Sequence, residues 1–123
     1  MIRIVGVQRS PILEEEFVLL QNQGGLRINL RGHLVVADSA LNEGRLDQAA
    51  HAFADEALIP AGAYVLLHTG CGEPRWARTK DFAYIYHAYA NRHTPLWEHA
   101  QGPLHVLATQ HTFSERKEAI MLR

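Results

Sequence analysis

The stretch Phe17-Val18-Leu19-Leu20-Gln21-Asn22-Gln23-Gly24-Gly25 decides the class of fold. Phe17 and Leu19 fall on one face of an extended chain and Val18 and Leu20 on the other, so both faces are apolar. That pattern predicts a central strand covered on both sides. Gly24-Gly25 closes a hairpin-type connection, because glycine reaches positive φ without strain. Downstream, Ile28 and Leu30 alternate with Asn29 and Arg31, a half-buried pattern, and Gly32 breaks the run before a strand over 34–37. Short β-branched and aromatic runs punctuated by Gly, Asn and Pro read as antiparallel strands of an all-β sandwich.

Working outward, residues 2–7 form a first strand that ends at the turn Arg9-Ser10-Pro11. Residues 39–58 are ambiguous: Leu46, Ala50, Phe53 and Ala57 sit at helical spacing. The expectation is a strand over 50–53, with a helical turn over 46–49 kept open. In Pro60-Ala61-Gly62, proline presets φ at the second position of a turn and glycine supplies the positive φ. A second two-sided apolar strand follows over 63–67. Turn residues then dominate from Thr69 to Pro103, apart from residues 82–86 and Leu96-Trp97. A last strand pair over 104–109 and 118–122 is joined around 112–116. The expected core includes Phe17, Val18, Leu19, Leu20, Leu34, Val36, Val65, Leu67, Val106 and Leu107.

Length and composition describe one domain over residues 1–123: apolar content is 47% and charged content 20%, ordinary for a globular chain. Twelve basic residues balance thirteen acidic ones, whereas non-specific nucleic-acid binders carry a basic excess. Residues 1–7 run into a strand without a basic leader or cleavage site, and no apolar run approaches the roughly 18–20 residues a membrane helix needs. The single cysteine, Cys71, excludes an intramolecular disulfide. The expected setting is cytoplasmic and reducing.

Several pieces stand in collinear order. They are the opening Ile-x-Ile/Val strand, the acidic residues before Phe17, Gln21-Asn22-Gln23-Gly24, Ile28-Asn29-Leu30-Arg31-Gly32, Asp38, Phe53, Ile59-Pro60-Ala61-Gly62 and the Tyr64 strand ending in Thr69-Gly70. Through most of residues 2–109 the chain thereby resembles the lamin-tail domain, the immunoglobulin-like module of nuclear lamins and many bacterial proteins. The resemblance implies an immunoglobulin-like β-sandwich used for binding and tethering, with no catalytic set. It departs at His33, where the family has Trp, so that Trp97 or Trp76 would have to fill the space. The family's late Asn/Gly/Asp turn is here Gln101-Gly102-Pro103. The segment between Gly70 and Leu96 has little family character, and specialised function is expected there.

Arg75-Trp76-Ala77-Arg78-Thr79-Lys80, followed by Tyr84, Tyr86, Tyr89 and Arg92, is the leading candidate site. Trp, Tyr and Arg dominate protein-interface hot spots, and the same types pair with phosphates and stack on bases. Read as a loop, this stretch points to a non-catalytic module that self-associates or docks on a protein partner; a nucleic-acid surface is the disfavoured alternative. A second alternative is a small metal- or thiol-dependent enzyme built on His68 and Cys71, with His87 or His93 arriving from the next loop. Zinc wants three or four converging ligands, and no paired motif supplies them, so no cofactor is expected. The six-residue spacing of His87, His93, His99, His105 and His111 lacks the apolar column a β-helix needs. Glu14-Glu15-Glu16 alternate in direction along an extended chain and read as a solvated acidic approach to a strand.

Overall fold

The computed structural model describes residues 1–109. In chain order these hold β1 (Ile2–Gln8), a 3-10 turn (Leu13–Glu15), β2 (Phe17–Asn22), β3 (Ile28–Asn29), β4 (His33–Ala37), α1 (Asp38–Glu43) and β5 (Ala50–Ala52). They continue with β6 (Leu58–Ile59), β7 (Tyr64–His68), β8 (Arg75–Arg78), β9 (Tyr84–Tyr89) and β10 (Leu104–Ala108). The expected strand over 118–122 and its turn lie outside the described residues.

The alternation in β2 places Val18 and Leu20 in the core and leaves Phe17 and Leu19 half-buried on the opposite face. β2 is central, flanked by β1 and β7, both antiparallel to it. Among the described residues the sheet has five strands in the order β1-β2-β7-β9-β8. It is mixed: β9 runs parallel to β7, with Val65 beside Tyr86 and Leu67 beside Ala88. That corrects the all-antiparallel expectation. A parallel neighbour needs a crossover between the two strands, and the excursion through β8 provides it. A three-stranded antiparallel sheet, β10-β4-β5, and a two-stranded ribbon, β3-β6, complete the pairing.

One apolar cluster draws on all three sheets: Val18, Leu20, Val65, Leu67 and Ala88 from the first, Val35, Val36 and Ala50 from the second, and Ile59 from the ribbon. Trp97, from the loop before β10, is wholly buried among them, whereas Trp76 is 44% exposed. Of the other expected core residues, Leu34 and Val106 only border the cluster, and Leu107 is exposed near a sheet edge.

Three local expectations change in the structure, the first through non-local pairing. Gly24-Gly25 takes no positive φ and closes no β2–β3 hairpin, because β3 pairs with β6 in another sheet. Asn22 instead anchors this crossing: its wholly buried amide donates to the Leu26 and Ile59 carbonyls, each at 2.9 Å, and its Oδ1 accepts from Gly24 N–H at 3.0 Å. The turn after β6 is closed by Ala63 N–H donating to the Pro60 carbonyl at 3.1 Å, so proline stands first in it and Gly62, at φ +82°, third. The helical turn kept open over 46–49 is a hydrogen-bonded turn, with Gln48 N–H donating to the Arg45 carbonyl at 3.1 Å. The helix itself, α1, lies earlier, with Asp38 in its first turn and Gly44 (φ +68°) ending it. It buries only Ala40, so it leaves no apolar periodicity to read.

Candidate functional site

The segment from Arg75 to Tyr89 is a β-hairpin, not a loop. Phe82 N–H donates to the Thr79 carbonyl at 3.0 Å, and Thr79 N–H donates to the Ala83 carbonyl at 2.8 Å. These bonds close a three-residue connection, Lys80-Asp81-Phe82, whose last residue sits at φ +63°. Glycine or asparagine relaxes such a position. A phenylalanine there costs about 1 kcal/mol of backbone strain. Phe82 is also 75% exposed, so burial does not offset the strain.

The ladder sorts the candidate side chains onto two faces. Trp76 pairs with Tyr86 and Arg78 with Tyr84 on one face. The Trp76 ring meets Tyr84 edge-on at 6.4 Å and tilts against Tyr86 at 5.1 Å. The Arg78 guanidinium lies 4.5 Å from the Tyr84 ring centroid and also donates to its hydroxyl at 2.7 Å. Cation–π contact and hydrogen bond together hold this exposed group in one orientation. On the opposite face Arg75 donates to the Tyr89 hydroxyl at 2.9 Å. Arg75, Trp76, Arg78, Lys80 and Tyr84 are exposed and Tyr89 is half-buried.

Two expected contact residues are anchors instead. Tyr86 is buried and its hydroxyl donates to Asp55 at 2.8 Å; burial and this carboxylate push the phenol up to about 12. Arg92 lies beyond the hairpin, half-buried, and donates to the Ala50 carbonyl at 3.2 Å. Phe82, absent from the expected set, joins the exposed group. The sequence carried no signal for this, because Phe82 reads as the start of the run over 82–86.

The parallel pairing of β7 with β9 brings the loops after both strands to one end of the sheet. Asn91 N–H donates to the Gly70 carbonyl at 3.1 Å and Arg92 N–H to that of Thr69 at 2.9 Å. A cleft of about 340 Å³ opens there, lined by Leu13, Glu14, His68, Gly70, Cys71, Tyr89, Arg92 and His93. Gly72 crosses the face of Tyr89 so closely that a Cβ would enter the ring. His68 and Cys71 thus do share a site with His93. His87, on the adjacent strand, faces His68 with the ring nitrogens 2.9 Å apart, and Tyr89 stacks on His68 at 4.6 Å. Burial first holds both imidazoles below the usual range, followed for His68 by His87 and then Arg75, and for His87 by Arg75. The shared bond needs one of the two facing nitrogens unprotonated to accept it. Cys71 is exposed, its thiol directed at the Arg92 carbonyl at 3.8 Å. Among the described residues no three His, Cys, Asp or Glu side chains are grouped to hold a metal ion. His99 and His105 face Glu98 and Asp38 separately, and His111 lies outside the described residues.

The acidic triplet is divided by the fold. Glu14 and Glu15 are exposed, but Glu16 is 1% exposed, which corrects the solvated reading. Its Oε1 accepts from Thr69 Oγ1 at 2.8 Å, Leu96 N–H at 2.7 Å and Trp97 N–H at 3.0 Å. Glu16 precedes β2 and Thr69 follows β7, and the Phe17–His68 pairing sets them side by side. The carboxylate therefore seats the Leu96-Trp97 loop on the sheet end, behind the cleft.

No helix among the described residues is long and apolar enough to cross a membrane. No protein-family model, curated protein or solved structure matches the chain.

Proposed function

We propose that this chain is a non-catalytic protein-docking module, an immunoglobulin-like sandwich of lamin-tail type that engages its partner through the β8–β9 hairpin. The observation that carries the reading is the exposed aromatic set on one hairpin: Trp76 and Tyr84 meet at the sheet edge, 44% and 46% exposed, with Arg78 fixed over Tyr84 and Phe82 75% exposed in the adjoining turn. Rigid aromatic area beside a pre-oriented guanidinium matches the residue chemistry of interface hot spots, and little side-chain entropy remains to be lost on docking. The strained, exposed Phe82 adds support, since strain unrelieved by packing concentrates at functional positions. The sandwich reading draws its support from an apolar cluster shared between the five-stranded and three-stranded sheets.

The test compares wild type with a Trp76→Ala/Arg78→Ala variant of matched thermal stability, by concentration-dependent sedimentation and by capture of a displayed random peptide library. The expected result is loss, in the variant, of whichever association wild type shows. Identical behaviour in both assays refutes the proposal. So does a duplex DNA probe bound by wild type with a steep salt slope that the variant loses.

A further inference from the structure

β8 is the last strand of its sheet, and its outer edge is unpaired among the described residues. The Thr79–Ala83 bond sets the phase of the β8–β9 ladder. Hydrogen-bonded pairs alternate along an antiparallel ladder, so Ala77 with Ile85 and Arg75 with His87 bond inward. The N–H and C=O groups of Trp76 and Arg78 consequently face the open edge. Open edges in natural sheets are blunted by short length, charge or a bulge. Here the charges are Arg75 and Arg78, and neither guanidinium has an ion-pair partner among the described residues.

These charges select the occupant. In the antiparallel pairing of β8 with a second copy that is centred on Ala77 and joins the open groups of Trp76 and Arg78, Trp76 stands opposite Arg78 and Arg75 opposite Thr79 of that copy, so neither guanidinium gains a carboxylate. The acidic triplet of another copy is also a poor match, because Glu16 is buried and Leu13–Glu15 is a 3-10 turn rather than a strand. From the docking role proposed above, on which this step rests, we infer that the β8 edge accepts an extended acidic segment of a different protein as an added strand. Main-chain bonds to Trp76 and Arg78 supply the register. Carboxylates three residues apart meet Arg75 and Arg78 in either strand direction. An apolar side chain opposite Trp76 faces the notch of about 190 Å³ lined by Pro60, Trp76 and Tyr84.

The experiment is selection from a displayed random octapeptide library on wild type, on the charge-reversed Arg75→Glu/Arg78→Glu variant and on Trp76→Ala/Arg78→Ala. Wild type is expected to enrich peptides with two acidic residues three apart and an apolar residue between them. Charge reversal should invert the preference to basic residues, each set binding its own variant about tenfold better than the other. If charge reversal leaves the enriched set acidic while Trp76→Ala/Arg78→Ala abolishes it, strand addition is overturned and docking through the hairpin survives. If none of the variants changes capture, both fall. A wild-type dimer in sedimentation that Trp76→Ala/Arg78→Ala dissolves also overturns the choice of a different protein as the occupant.

Discussion

Replacing Glu16 with alanine removes one buried acceptor from three donors at once. The carboxylate is 1% exposed, and it is the hydrogen-bond partner of Thr69 Oγ1, Leu96 N–H and Trp97 N–H at 2.8, 2.7 and 3.0 Å. Each buried donor left without a partner costs roughly 1–3 kcal/mol. The summed penalty is reduced because the vacated space is polar and admits water to part of the set. The expected loss is about 4 kcal/mol, at the upper end for a point change. In a domain of this size that corresponds to a fall in Tm of about 15 °C. Glu16→Gln keeps one acceptor oxygen but turns an amide group toward Ser10 N–H, which now donates to Oε2 at 3.4 Å, so it should cost about half as much. Urea unfolding followed by tryptophan fluorescence measures both, since Trp97 sits on the loop that Glu16 holds. A loss below about 1 kcal/mol for alanine, or glutamine proving as costly as alanine, would refute the reasoning that hydrogen bonding rather than loop packing seats residues 96–97.

The remaining predictions concern titration. His68 and His87 are held below the ordinary value of 6.5 by burial and then by nearby positive charge, and His51 is lowered mainly by burial. Below that value the unfolded chain takes up protons that the folded protein refuses, so stability should fall as pH drops from neutrality through the folded-state values. Urea midpoints at successive pH values should show this decline, with a flatter profile in His68→Gln/His87→Gln; a midpoint that rises on acidification is the contrary result. Tyr86, raised to about 12 by burial and Asp55, should be the last of the four tyrosines to ionise in an ultraviolet titration. Asp55→Asn should bring it earlier, and an unchanged titration curve in that variant would disprove the assigned cause.

Much of the strand inventory was legible locally. Period-two alternation over Phe17–Asn22 and Tyr64–His68, and the Pro60-Ala61-Gly62 turn, depend on neighbours a few residues apart. The composition of the candidate site was legible for the same reason, since Trp76, Arg78 and Tyr84 announce themselves by type. α1 was not, because a helix of six residues held by its ends and burying one alanine carries no periodic signal. Phe82 was not, because its significance lies in a backbone angle.

By itself the sequence determined where much of the chain extends, as over Phe17–Asn22 and Tyr64–His68, and which residue types were available for binding, because those properties follow from local sterics and side-chain chemistry. Only the tertiary structure decided that β9 inserts parallel to β7 and leaves β8 at the rim. Through that arrangement alone Trp76 and Arg78 stand at an edge left open among the described residues, Tyr86 turns inward to Asp55, and His68 meets His87. It also converted Glu16 from one of three similar carboxylates into a buried clasp. The physical reason is that sheet order is set by which apolar faces reach a common core. Pairings across tens of residues win by that burial, and no window of sequence contains both partners.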